Sequence, residues 1–198
     1  MSQSIAAHSS AAVVEETGIP TNKLGMWLFL ASEVMFFAGL ITAYVVLRFS
    51  HPAWPGPEGH LNKWLGSANT FILLGSSWTI VMALADFQAD RQRSGRLYLL
   101  WTILLGSAFL VIKGFEYRMK LEHGIVPSTN IFWSCYYTLT GFHGLHVLGG
   151  IITNLWLLVR SLRGRLGPSQ AYRAELAGLY WHFVDIVWLF LFPMLYLF

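Results

Sequence analysis

Charge is scarce in this chain: Asp, Glu, Lys and Arg together make up 12% of 198 residues, against 55% hydrophobic ones. A soluble domain carries about twice that charged share, so the composition excludes an ordinary water-soluble fold. There is one cysteine, Cys135, which excludes an internal disulfide and any thiolate cluster. No phosphate-cradling loop, nucleophile and base pairing or internal repeat is present, and the first 23 residues lack the basic start and apolar core of a signal peptide. They read as a loose terminal segment preceding the folded part.

What is abundant is long apolar sequence. Mean hydropathy is +0.52, and five runs are long enough to cross a bilayer: about 24–47, 65–85, 97–117, 131–159 and 176–198. The expected fold is therefore all-α, a polytopic membrane bundle of five transmembrane helices occupying residues 24–198. The third run holds only 97–112 before Lys113, so its helix should continue through Phe115, placing Lys113 and Glu116 at a membrane boundary. The fourth exceeds the ~20 residues a span needs and should tilt or begin in the interface.

Basic residues sit in the short loops. Lys23, Arg91, Arg93, Arg96, Arg160, Arg163, Arg165 and Arg173 fall on one side of a five-span topology, and Arg48, Lys63, Lys113, Arg118 and Lys120 on the other. The positive-inside tendency then predicts a cytoplasmic N-terminus and an external C-terminus. The sequence pI near 9.1 reflects this loop charge, which suits lipid headgroups and not a nucleic-acid partner.

Few ionisable groups lie at membrane depth, and each needs a reason. Glu33 is the only acidic or basic side chain in 24–47, ~14 Å into its helix at 1.5 Å per residue and so near the midplane. An acid there faces protein, water or a proton path. It reads either as a neutral acid bonded to a neighbouring helix or as a proton-linked group. Gly25, Ser32 and Gly39 recur every seven residues beside it, a stripe that would admit another helix closely.

His143 and His146 share one helix face, as do His182 and Asp185. They are consistent with interhelical hydrogen bonding, with proton handling or with metal ligation, of which the first is favoured because there is no cysteine partner and only one well-placed acid. Asn69 and Thr70 form a polar pair expected to bond across helices. Glu116 can pair with Lys113 and Lys120, and such pairs at a membrane edge would contribute little. These readings assign no catalytic residue, no metal ligand and no cofactor site to the chain. A proton-coupled transporter using Glu33 and the histidines is the competing class, opposed by five spans without a repeat and by the absence of helices broken by Gly or Pro at mid-depth.

Five strings in order resemble one family: LGMWLFLASEVMFFAG at 24–39, Asn69-Thr70 followed by Leu73-Leu74, Glu116-Tyr117, GFHGLHV at 141–147 and YWHFVDIVWLF at 180–190. Together they resemble subunit III of haem-copper terminal oxidases, over nearly the whole chain from Lys23. The resemblance implies a helical subunit of a cytochrome c oxidase that carries no redox centre. It would pack on subunit I within a complex that also holds subunit II and other respiratory-chain subunits, with the haems and copper in those partners. It also implies bound phospholipid, support of proton uptake during O2 reduction to water, and residence in a bacterial cytoplasmic membrane. Glu33 would be a buried bundle acid with a proton-supporting role. Asn69, Thr70, Glu116, His143, His146, His182 and Asp185 would form an interhelical polar network. Many members have seven helices, the first two forming a lipid cleft with the rest, whereas this chain resembles the five-helix form. A quinol oxidase subunit III and an accessory subunit of a nitric oxide reductase are the alternatives within the same fold.

Overall fold

The structure is a computed structural model, and it describes residues 20–57 and 61–197. Among the described residues there are five helices long and apolar enough to cross a membrane: α1 (Thr21–Ser50), α2 (Lys63–Gln88), α3 (Gln92–Glu122), α4 (Ile131–Leu162) and α5 (Tyr172–Phe192), the last continuing through a π-helical turn, Pro193–Leu197. Most of the segment 1–23, expected to be loose, lies outside the described residues.

The chain divides into two compact units whose boundary falls inside α1, after Gly39. In the first, the helix starts against Pro20, whose carbonyl accepts the Lys23 and Leu24 amides at 2.8 and 3.1 Å. Ser32 turns its hydroxyl back onto the Phe29 carbonyl at 2.6 Å, which satisfies a polar side chain within its own helix.

The second unit, Leu40–Phe198, carries four complete helices. Contacts run from α2 to α3, α3 to α4, α4 to α5 and α5 back to α2, so these four close a ring in which each helix has two neighbours. Tight connections make this order possible. Asp90, at φ 56°, turns α2 into α3 in three residues, and Gly124 and Gly164, at φ 72° and 67°, end α3 and α4 in the left-handed conformation that glycine adopts without cost. Asn62 and Asn130 cap the starts of α2 and α4 with their side-chain oxygens.

The ring buries polar and small side chains among large aromatic and aliphatic ones, and its outside is apolar. Phe71, Trp64, Leu145 and Phe190 point outward, while Ser76, Thr102, Asn69, His143 and Asn154 are buried. An apolar exterior with polar groups kept inside is expected where the solvent is hydrocarbon and helices associate through close packing and internal hydrogen bonds. Close packing centres on Trp181 of α5. A Cβ on Gly106 of α3 or on Gly150 of α4 would lie 2.6 Å from its indole, so both glycines are needed to form the slot.

The two ends of the ring differ. At the end formed by the α2 C-terminus and the α5 N-terminus, Ala83, Phe87, Leu99, Leu157, Leu166, Ala171, Ala174 and Ala177 form an apolar plug. At the opposite end the interior is charged.

Candidate functional site

The charged end is built on α3. Lys113, Glu116 and Lys120 follow at spacings of three and four, so all three side chains leave one face of the helix. Here that face is the inner one: the three residues are 8%, 4% and 4% exposed. Lys113 Nζ donates to Glu116 Oε2 at 3.0 Å, and Lys120 Nζ to Glu116 Oε1 at 2.7 Å. The pairs expected from the spacing thus form, but not as weak pairs at a membrane edge, because the ring encloses them and a buried ion pair follows different energetics.

Two phenols complete the cluster. Tyr136 of α4 and Tyr196 of the terminal π turn donate to Glu116 Oε1 at 3.0 and 2.7 Å. The two hydroxyls are 3.1 Å apart, and Lys113 also bonds to Tyr196. Aromatic faces surround the ammonium groups. Lys113 Nζ stands 4.8 Å from the Trp188 ring and 4.9 Å from that of Tyr196, and Lys120 Nζ stands 4.9 Å from Tyr136. At such distances the ring quadrupoles favour the cations, in surroundings that otherwise desolvate them. The π turn is part of this arrangement. Pro193 has no amide hydrogen to continue the α-helical ladder, and the wider turn that follows buries Tyr196 beside α3.

A second polar system joins α2 to α5. The Trp188 and Trp181 indoles donate to Thr70 and Ser76, each at 3.0 Å, and Ser77 shares a hydrogen bond of 2.6 Å with His182 Nδ1. Thr70 and Ser76 pass their own protons to the Gly66 and Leu73 carbonyls, so each hydroxyl acts as acceptor across the interface and donor within its helix. Thr79 and Thr102 link α2 to α3 at 2.8 Å.

The remaining residues of the expected network divide. His143 is 1% exposed; its ring stacks on Trp188 with centroids 5.2 Å apart and meets the edge of Phe109. Neither His143 nitrogen has a hydrogen-bond partner among the described residues, and the same holds for the side-chain polar atoms of Asn69, Asn154 and Asp185. His146 is partly exposed and turns Nδ1 to the Phe142 carbonyl at 2.7 Å, so His143 and His146 have different surroundings despite their spacing. Thr70 and His182 bond across helices, whereas Asn69 does not. Glu33 is partly exposed on α1. Among the described residues no three His, Cys, Asp or Glu side chains are grouped so as to hold a metal ion.

Sequence reasoning missed Tyr136, Tyr196 and Asn154. A usable signal existed for the first two: three charged residues on one face of a membrane helix require partners on neighbouring helices.

Comparison with known proteins gives a single answer. The family model described as "Cytochrome c oxidase subunit III" matches residues 5–198. A probable cytochrome c oxidase subunit 3 of Mycobacterium bovis is 39% identical over 174 residues, covering 87% of this chain and 86% of that protein. The cytochrome c oxidase subunit 3 of Thermostichus vulcanus is 39% identical over 176 residues, 88% and 86% of the two chains. That of Synechocystis is 41% identical over 176 residues, 87% of this chain and 74% of its own.

Proposed function

The chain belongs to the cytochrome c oxidase subunit III family, and from that premise we propose that it serves as the multi-pass subunit III of a bacterial terminal oxidase, packed on catalytic subunit I. The haems and copper belong to the partner subunits in this reading, and the chain supports proton uptake and the durability of the complex during O2 reduction. What carries the proposal is the match over 5–198, the whole of the five-helix region. The bacterial relatives support a cytoplasmic-membrane location, and loop charge supports a cytoplasmic N-terminus with the C-terminus external.

The internal organisation fits a subunit of this kind. Many polar side chains of α2 to α5 are engaged across helices: Thr70 with Trp188, Ser76 with Trp181, Ser77 with His182, Glu116 with two lysines and two tyrosines. Side chains so engaged hold helices in register. Glu33 is partly exposed on α1. A carboxyl at that depth is costly against lipid, so in this reading a neighbouring subunit covers α1 at the Gly25, Ser32 and Gly39 stripe, and Glu33 supports proton uptake from that interface. Phospholipid bound along the helices completes the picture.

Extraction in mild detergent tests the reading. The chain should co-purify with a haem- and copper-containing subunit, and separated from it should show no haem absorption. Stoichiometric haem on the isolated chain would refute the proposal. Identification of the co-purifying catalytic chain separates a cytochrome c oxidase from a quinol oxidase or a nitric oxide reductase.

A further inference from the structure

The buried cluster on α3 is not balanced in charge. It holds two ammonium groups and one carboxylate, and the other polar members are phenols. The carboxylate is heavily engaged: Oε1 receives Lys120, Tyr136 and Tyr196, and Oε2 receives Lys113. Lys113 spends its donors on Glu116, Tyr136 and Tyr196. Among the described residues Lys120 hydrogen-bonds to Glu116, at 2.7 Å, and to Tyr136, at 3.3 Å, with the Trp133 and Tyr136 rings also against its ammonium group, so one of its three N–H groups has no hydrogen-bond acceptor among them. A surplus positive charge on a residue 4% exposed calls for an anion.

A cavity of about 170 Å³ lies against this lysine, lined by Asn62, Leu65, Glu116, Met119, Lys120, His123 and Ile125. Its polar rim carries the Glu116 carboxylate, whose oxygens already receive four donors, and three groups able to donate, from Asn62, Lys120 and His123. The Asn62 side-chain oxygen is occupied by the Trp64 and Leu65 amides at 3.0 and 3.2 Å, which leaves its NH2 group to offer. The start of α2 is beside it, where the helix dipole favours an anion although the Trp64, Leu65 and Gly66 amides are themselves bonded to Asn62. His123 turns Nδ1 to the Met119 carbonyl at 2.7 Å; a carbonyl only accepts, so Nδ1 carries the hydrogen and Nε2 is the atom left for a ligand, as a donor once protonated. Leu65, Met119 and Ile125 give apolar walls that lower the local dielectric and strengthen a charge pair. The volume is several times the roughly 30 Å³ share of one water, and donors on α3 and at two helix caps suit a group with several oxygens better than a halide.

We propose that this cavity is a binding site for a phosphate-type oxyanion, held by the free N–H of Lys120, the Asn62 amide at the start of α2, and His123. The oxyanion is either free phosphate or the phosphate of an anionic lipid headgroup, since both present the same oxygens.

The test uses the purified full chain. Equilibrium dialysis with radiolabelled inorganic phosphate measures the free anion, and retention of phosphatidylglycerol after transfer into phosphatidylcholine nanodiscs measures the headgroup. Asn62→Asp is the informative variant, because it keeps the capping oxygen while placing a carboxylate on the rim. It should weaken binding at least tenfold, as should Lys120→Gln, while Arg118→Gln, on an exposed residue paired with Glu122, should stay within twofold of wild type. Saturable phosphate binding lost in Asn62→Asp supports the free anion. Retention of phosphatidylglycerol lost in that variant, without phosphate binding, supports the headgroup. The proposal is overturned if wild type binds neither, or if Asn62→Asp binds as wild type does.

Discussion

Replacing Glu116 by Gln isolates the electrostatics of the buried cluster with little change in shape. The carboxylate accepts four hydrogen bonds, from Lys113 at 3.0 Å, Lys120 at 2.7 Å, Tyr136 at 3.0 Å and Tyr196 at 2.7 Å. An amide offers one oxygen and presents its NH2 group to donors. Two ammonium groups would then face each other without a counter-charge. Removing one partner of a buried ion pair costs about 3–5 kcal/mol, the range expected here. Lys113→Met should cost less, about 1–3 kcal/mol, because Lys120 and Glu116 remain as a balanced pair and the thioether chain fills the space between Trp188 and Tyr196. Replacing all three charges, Lys113→Met with Glu116→Gln and Lys120→Met, should recover most of the loss, since no buried charge is then left uncompensated. Equilibrium unfolding of the purified chain in mixed micelles, with increasing dodecyl sulfate and tryptophan fluorescence as the signal, measures all three. The reasoning is refuted if Glu116→Gln lies within about 1 kcal/mol of wild type or if the triple variant is as unstable as Glu116→Gln alone.

The slot for Trp181 predicts that Gly106→Ala and Gly150→Ala each lose about 1–3 kcal/mol in the same assay, because a Cβ 2.6 Å from a fully buried indole cannot be relieved by a surface side chain. Gly141→Ala, where a Cβ meets nothing within 4 Å, should be neutral or stabilising by up to about 1 kcal/mol; a loss like that at Gly150 would count against the packing argument. Ser76→Ala leaves the Trp181 indole N–H buried without its acceptor and should cost about 1–3 kcal/mol, with a cycle against Trp181→Phe showing non-additive losses. At Glu33, Gln should leave co-purification with the oxidase nearly unchanged while altering proton uptake or durability in turnover, and Ala should be worse; loss of assembly in Gln would mean that the charge itself holds the interface.

The architecture was legible because lipid imposes length and apolarity on every span, and five such runs appear as five helices. Which side of each helix faces inward was much less legible. In water an apolar stripe marks the core, but these helices are apolar almost all round, so the inner face is marked only by small and polar residues. Thr70 was readable in that way, whereas Ser76, which accepts from Trp181, was not singled out. Tyr136 and Tyr196 carry no local mark, because tyrosine also serves in the aromatic belts at a membrane surface, and only the demand of the α3 charges for partners on neighbouring helices points to them. Lys113, Glu116 and Lys120 show the difficulty from the other side. Their spacing gives the pairing, but charges that end the apolar run 97–112 are also what a membrane boundary carries. Three charges on one face of a helix that also carries Phe109, Phe115 and Val111 could equally be turned inward, and only the tyrosines from α4 and the terminal π turn decide between the two.

The contrast between the ends of the four-helix ring bears on why such a cluster exists at all. At the arginine-rich end, charge is kept at the helix termini: Arg91 pairs with Asp86 and Arg96 donates to the Ser161 hydroxyl and carbonyl, while the interior is closed by alanine, leucine and phenylalanine. The same apolar solution at the other end would be at least as stable, since a buried ion trio is often no better than well-packed hydrophobic residues. What the trio adds is geometric demand. Its hydrogen bonds are satisfied only when α3, α4 and the Pro193 turn are in one register, with Tyr136 and Tyr196 both within reach of one carboxylate oxygen. An apolar plug tolerates sliding by a fraction of a turn, whereas this cluster would leave a buried charge exposed to hydrocarbon if it slipped. Register at the charged end also sets the cavity beside Lys120, because Asn62 on α2 and His123 beyond α3 meet there only when the helix ends are level.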